Sequence, residues 1–64
     1  MARPVNETAR EWVRELVLRE GVRRTGRRLK LADATIARIV AGIDVQESTA
    51  TVVESKHAGA KAAA

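Results

Sequence analysis

Five basic side chains fall within eight consecutive residues, and guanidinium or ammonium groups at this density bind phosphates. They are Arg23, Arg24, Arg27, Arg28 and Lys30. Residues 22–41 hold six basic residues and one acid, a net charge of +5, whereas the whole chain carries +4. The other residues therefore sum to −1. Because the excess positive charge is confined to one segment, the sequence predicts a polyanionic partner, although such a run can also be a solvated helix face.

The remaining composition offers little for catalysis. There is no cysteine, and the single histidine, His57, cannot build a metal site alone. The chain has no nucleophile–base pair, no carboxylate pair in an apolar setting and no glycine-rich phosphate loop. We therefore expect no enzyme activity, no metal, no cofactor and no small-molecule ligand, and we interpret His57 as a solvent-exposed bystander.

The chain also lacks the sequence features of a membrane protein. No apolar run approaches the ~20 residues of a membrane span. The first residues lack the apolar core of a signal peptide. Together with the missing cysteines, this predicts a cytoplasmic protein.

The first helix is predicted from a cap and an apolar stripe. Asn6 is the expected N-cap, and Gly21 ends the helix at its C′ position. Between them, apolar residues recur at i, i+3, i+4, i+7 and i+8: Ala9, Trp12, Val13, Leu16 and Val17. Trp12 lies on this stripe and is expected in the core rather than stacked on a base. Residues 1–5 are expected to be a flexible N-terminal arm.

Two shorter helices follow. The second is predicted from Val22 to about Lys30 and contains Gly26. A glycine inside a helix costs about 1 kcal/mol against alanine, so we expect another helix to approach closely there. The third helix begins near Asp33 and ends at Gly42. Its apolar face consists of Ile36, Ile39 and Val40.

The segment after Asp44 is the least regular. Five of its residues fit a helical stripe: Val45, Thr49, Val52, Val53 and Lys56. The run "TATVV" is also β-branched and alternating, as in a strand, but the helical context favours a helix over residues 46–56. Residues 58–64 are an alanine-rich tail. The predicted fold class is all-α, a small bundle of four helices over residues 6–57, with the last segment as the one candidate strand.

A three-residue turn joins the second and third helices, which is the arrangement of a helix-turn-helix. When Val22 is position one of the twenty-residue motif, position five must be tiny because the helices cross there, and Gly26 occupies it. Positions eight, ten, fifteen and eighteen must be apolar to hold both helices on the first. They are Leu29, Leu31, Ile36 and Ile39.

Over residues 22–43 the chain resembles the helix-turn-helix of phage repressor and Cro domains, and Gly42 matches a glycine that follows their third helix. It is also similar to small plasmid or phage regulators with an "rLgLs..Ti.RilaG" pattern. Two residues depart from the motif. Lys30 replaces the usual glycine at position nine, where a positive φ costs lysine about 1–2 kcal/mol, so the detail of the turn is left open. Ala32 replaces a serine or threonine cap, which leaves the start of the third helix open.

The resemblance implies that the third helix enters the major groove while the second crosses the phosphate backbone. Phosphate contacts are then expected from the five basic residues named above and from Thr35, which could instead bond its own backbone. Arg38 is expected to read guanine, and the methyl groups of Ala34 and Ala37 to touch thymine methyls. Asp33 either accepts from cytosine or, as we favour, stabilises the helix N-terminus.

The sequence thus predicts sequence-specific binding of double-stranded DNA by a small transcriptional regulator, a repressor, associated with the bacterial nucleoid. One recognition helix reads about half a site, so we expect a homodimer at least on DNA, with Val52 and Val53 as candidate contacts. The alternatives are an accessory factor in plasmid or phage partition, replication or recombination, and a partner-binding adaptor that binds no DNA. Membrane binding is disfavoured because the basic helix has too few apolar residues.

Overall fold

The structure is a computed structural model that describes residues 1–63, and Ala64 of the predicted tail lies outside the described residues. In chain order its elements are β1 (Ala2–Arg3), α1 (Glu7–Glu20), α2 (Val22–Leu29), α3 (Asp33–Ala41), β2 (Val45–Gln46) and α4 (Glu47–Ala63). The prediction of a small, mostly helical bundle with four helices is confirmed over this part of the chain. The last segment is a helix preceded by a two-residue strand. None of the helices in residues 1–63 combines the length and the apolar character needed to cross a membrane.

The boundaries of α1 are set by the predicted caps. The Asn6 side chain accepts a hydrogen bond from the Ala9 amide at 2.9 Å. At the other end, the Gly21 amide donates to the Val17 carbonyl at 2.8 Å. Gly21 has φ 89°, a conformation that side chains disfavour, and it lets α2 begin at the next residue in a new direction.

The core lies between α1, α2 and α3, and α4 and the segments around the two short strands add to it. Its buried apolar residues are Val5, Ala9, Val13, Leu29, Ile36, Ile39, Val45, Ala50 and Val53. The predicted role of Val53 in a dimer contact is wrong, because its side chain is 0% exposed and has no surface to offer a second chain. Val52 is 43% exposed and remains available, since consecutive helical residues point about 100° apart.

Residues 1–5 are part of the folded unit, which corrects the expectation of a flexible arm. β1 pairs antiparallel with β2, with Ala2 opposite Gln46 and Arg3 opposite Val45. Val5, the next apolar residue, is buried in the core. The pairing joins segments that are distant in sequence, and a two-residue strand has too little alternation to be recognised locally. We name these two paired strands the β-ribbon.

Arg3 holds the β-ribbon against α4. Its guanidinium donates to both carboxylate oxygens of Glu54, at 2.7 and 2.9 Å, and the Asn6 amide donates to the same carboxylate at 2.9 Å. The hydrogen bonds from Arg3 and then from the Asn6 amide lower the pKa of Glu54 from 4.5 to about 2. Glu54 is therefore ionised wherever the protein is near neutral pH.

Trp12 is half-buried and packs against the core, as expected for an aromatic on the stripe of α1. Its ring also meets that of His57 on α4, with centroids 5.4 Å apart and planes inclined by 37°. His57 is half-buried as well, so it is a packing residue and not the exposed bystander predicted from the sequence. The two rings join the outer edge of α1 to α4.

Candidate nucleic-acid interface

The turn between α2 and α3 contains Lys30 in the left-handed region of backbone conformation. Lys30 adopts φ 59° and ψ 44°, the left-handed conformation that the motif assigns to glycine. The Lys30 amide donates to the Arg27 carbonyl at 3.3 Å, and the Leu31 amide donates to the Gly26 carbonyl at 2.8 Å. The sequence left the detail of this turn open, and the structure shows that Lys30 takes the strained conformation while the residue stays exposed.

Gly26 fixes how closely the turn folds onto α2. A Cβ added there would lie 2.6 Å from the Leu31 carbonyl oxygen and 3.7 Å from Cγ1 of Ile36. The prediction that another helix approaches closely is met only in part, because the clashing atom belongs to the turn and the atoms of α3 lie at 3.4 Å or more. Because a backbone carbonyl cannot move without opening the turn, the angle between α2 and α3 depends on this glycine.

α3 is also held at its C-terminal end. The Ile43 amide donates to the Arg38 carbonyl at 3.0 Å. The Gly42 amide donates to the Ile39 carbonyl at 3.1 Å, and Gly42 has φ 76°. These two bonds are the Schellman arrangement. A Cβ at Gly42 would lie 2.7 Å from Nη1 of Arg10, so a guanidinium from α1 lies against the end where the helix dipole favours positive charge.

The face of α3 opposite the core is open to solvent. Its exposed residues are Asp33, Ala34, Ala37, Arg38 and Ala41. We name the three alanines among them the alanine strip. No side chain on this strip is longer than a methyl group, so the backbone of α3 can closely approach a partner. Arg38, at one edge of the strip, is the only long hydrogen-bond donor on the helix.

Asp33 lies at the opposite edge, beside α2. Its Oδ1 is 3.4 Å from the position of a Cβ added to Gly26. The N-cap residue of α3 is Ala32, which makes no side-chain capping bond, so the first amides of the helix lack that partner. A carboxylate in this first turn is favoured by the helix dipole. The placement agrees better with a role at the helix N-terminus than with base reading.

The basic residues of α2 and of the turn after it differ in whether they form an ion pair with a carboxylate. Arg28 is engaged, because its Nη2 donates to both carboxylate oxygens of Glu20, at 2.7 and 2.8 Å. The hydrogen bond from Arg28 lowers the pKa of Glu20. The expectation that Arg28 contacts a phosphate stays a prediction, and such a contact would compete with this ion pair. The other four basic residues are exposed and have no carboxylate within 4.0 Å among the described residues: Arg23, Arg24, Arg27 and Lys30.

A groove of about 390 Å³ runs between α3, the β-ribbon and the start of α4. Its polar lining residues are Thr35, Arg38, Asp44, Gln46 and Thr49. Of these, the sequence predicts DNA contacts only for Thr35 and Arg38. The signal that could have indicated Gln46 is its place beside the buried Val45 in β2, since successive side chains of a strand point to opposite faces. Asp44 precedes that strand and carries no such signal.

Comparisons of the chain with protein-family models, with curated proteins and with solved structures give no match. Among residues 1–63, no three histidine, cysteine, aspartate or glutamate side chains come together in a way that could hold a metal ion. The exposed features around α3 are the alanine strip, the basic residues of α2 that form no ion pair among the described residues, and the groove beside Arg38.

Proposed function

We propose that the chain binds double-stranded DNA through α2, the turn and α3, and that it acts as a small transcriptional regulator that represses by occupying its site. The observation that supports this best is the exposed alanine strip, beside a helix with three unpaired arginines. An α-helix with side chains is about 10–12 Å wide and the major groove about 12 Å, so short side chains let α3 approach the base edges.

The proposed contacts follow from where each side chain lies. Arg38 donates to O6 and N7 of a guanine, and the methyl groups of Ala34 and Ala37 meet thymine methyls. The Thr35 hydroxyl, which lines the protein groove beside Arg38, donates to a phosphate of the DNA. The backbone charge of the DNA attracts the free basic residues, which are Arg23, Arg24, Arg27 and Lys30. Such a protein works in the cytoplasm, on the nucleoid.

We further propose that two copies bind one site. A single recognition helix reads about half a site, and useful specificity generally needs two half-sites about one helical turn apart. Val52 is the best candidate for the contact between copies. It is exposed on α4 and borders a shallow depression that it shares with Leu29 and Leu31.

The test begins by selecting bound duplexes from random DNA and then measures affinity for the selected and for unrelated sequences across a range of salt. We expect Arg38→Ala to weaken binding to the selected site by about 1–3 kcal/mol and to leave unrelated DNA almost unaffected. Arg27→Ala should weaken both alike and reduce the slope of log affinity against log salt by about 1.

Arg28→Ala is the matched control for Arg27→Ala, because it removes an arginine whose charge Glu20 already offsets. It should change the salt slope less than Arg27→Ala does. If no sequence is enriched and affinity is independent of salt, the proposed function is wrong. If Arg38→Ala weakens all DNA equally, DNA binding stands but the assignment of base reading to Arg38 does not.

A further inference from the structure

We propose that Asp44 is a positioning residue: its carboxylate orients the Arg38 guanidinium and thereby makes that side chain select guanine. The inference rests on the proposed DNA binding and concerns how the same site obtains its specificity. It starts from the groove beside α3, in which Arg38 is the only cation and Asp44 the only anion.

The backbone holds Asp44 close to Arg38 from both sides. On the N-terminal side, the amide of Ile43 is bonded to the carbonyl of Arg38 itself, at 3.0 Å. On the C-terminal side, Val45 is 7% exposed and paired with Arg3 in the β-ribbon. The Asp44 backbone therefore has little freedom relative to the helix turn that carries Arg38.

The side chain of Asp44, in the loop just before β2, lines the same groove as Arg38. Val45 is buried and borders the groove, and Gln46, the next residue of β2, lines it as well. Asp44 and Arg38 are each exposed, and neither forms an ion pair within 4.0 Å among the described residues. The carboxylate is thus free to accept hydrogen bonds when Arg38 turns into the groove.

The guanidinium can serve both partners at once. It has five N–H donors in a planar fork, and two of its edges can each make a pair of parallel hydrogen bonds. When one edge is bonded to Asp44, the other edge faces outward with its plane and direction fixed. The side chain then loses less conformational entropy when it binds O6 and N7 of guanine. A base that lacks two acceptors in that geometry leaves N–H donors of the guanidinium unpaired.

The carboxylate also affects which DNA is bound. A free arginine beside a groove is attracted to any phosphate, whereas an arginine paired with Asp44 presents little net charge. Asp44 therefore weakens binding to unrelated DNA and strengthens the preference for the correct base. Both effects raise specificity, and both act through the pairing of Asp44 with Arg38.

The experiment compares the wild-type protein with Asp44→Asn on duplexes that differ only at the base pair read by Arg38. Asn keeps the size of the side chain and removes its charge. We expect the preference for guanine over adenine at that base pair to fall about fivefold or more, with the other positions of the selected site unchanged. In the Arg38→Ala background, Asp44→Asn should have no effect on base preference.

Glu47→Gln is the control, since it removes one carboxylate from the adjoining segment but does not line the groove. It should change the binding affinity for all sequences by the same factor and leave the guanine preference unchanged. If Asp44→Asn keeps the guanine preference while the wild-type protein selects a site, the inference is overturned and the proposed function stands. If the wild-type protein selects no site, both the inference and the proposed function are wrong. Asp44→Ser, checked for helix content by circular dichroism, repeats the test should the Asn variant fold poorly.

Discussion

Arg3, Arg28 and Arg38 are the same type of side chain in three environments. Arg3 is bonded to a carboxylate that also holds a backbone amide, so it fastens one end of the chain to the fold. Arg28 forms a surface ion pair with Glu20, a contact of the kind that contributes little to stability. Arg38 has no partner in the described chain and lines a groove. Whether a carboxylate lies within bonding distance, and not the residue type, distinguishes arginines that anchor the fold from arginines that can bind a ligand.

The anchoring pair makes a prediction about acid stability. The pKa of Glu54 is lowered from 4.5 to about 2 by its hydrogen bonds, so the ionised form stabilises the folded state. That stabilisation is complete above the unfolded value of about 4.5 and is lost as the pH falls toward 2. We expect the melting temperature of Glu54→Gln to lie below that of the wild-type protein at pH 6 and to converge with it near pH 2.

Thermal unfolding followed by circular dichroism at several pH values measures this difference. Glu47→Gln controls for the loss of one carboxylate that makes no side-chain hydrogen bond in the described chain. A difference between wild type and Glu54→Gln that stays constant from pH 6 to pH 2 would show that Glu54 is not held by Arg3 and the Asn6 amide.

Among the secondary-structure elements, the turn between α2 and α3 stores the clearest strain. Lys30 has φ 59°, which costs a side-chain-bearing residue about 1–2 kcal/mol. Lys30→Gly removes that strain, and we expect it to raise the free energy of unfolding by about 1 kcal/mol relative to Lys30→Ala. Both variants should lower the salt dependence of DNA binding equally, because both remove the same charge.

Chemical denaturation of the two variants gives the comparison. The alanine variant is the matched control, since it loses the lysine charge but keeps a Cβ in the left-handed conformation. Equal stability of the two variants would mean that the turn relaxes out of this conformation in solution.

The helices were predictable because their signals are local. The caps at Asn6, Gly21 and Gly42 and the apolar spacing of α1 and α3 act within a few residues, and each appears where expected. The β-ribbon was not predictable, because pairing of Ala2 with Gln46 is stabilised by core packing and by Arg3 with Glu54, across the chain.

Pairs of neighbouring residues on one helix also show that local sequence signals do not predict long-range packing. Val52 and Val53 both fit the predicted stripe of α4, and only packing shows that Val53 is inside and Val52 outside. Arg27 and Arg28 read alike in the sequence, and only Glu20 distinguishes them. The exposed face of α3 was predictable, since it is the complement of an apolar face that the spacing defines.

The molecule as a whole is small, with extents of 31 × 23 × 18 Å, and it presents its free positive charge beside α3. On the proposed function, one copy of this size would cover about half of a typical operator, so the proposed pairing of two copies is a claim about the whole assembly. We expect Val52→Lys to keep the fold, because Val52 is exposed, but to bind a palindromic site as single copies with about tenfold weaker affinity.

Leu18→Lys is the matched control, because Leu18 is 77% exposed on α1 and the substitution adds the same charge away from α4. It should still place two copies on the palindrome. Sedimentation of the protein–DNA complexes gives the number of copies. If Val52→Lys and Leu18→Lys both leave two copies bound with equal affinity, α4 is not the contact.

The central claim, that the exposed face of α3 lies against DNA, is tested most directly by nuclear magnetic resonance. A selected duplex is titrated into the isotope-labelled protein, and the backbone amide shifts are followed residue by residue. We expect the largest changes at Ala34, Ala37 and Ala41 and around Arg38, with smaller changes along the basic face of α2. Saturable binding that leaves the α3 amides unshifted, with changes confined to α1 or the end of α4, would contradict the claim.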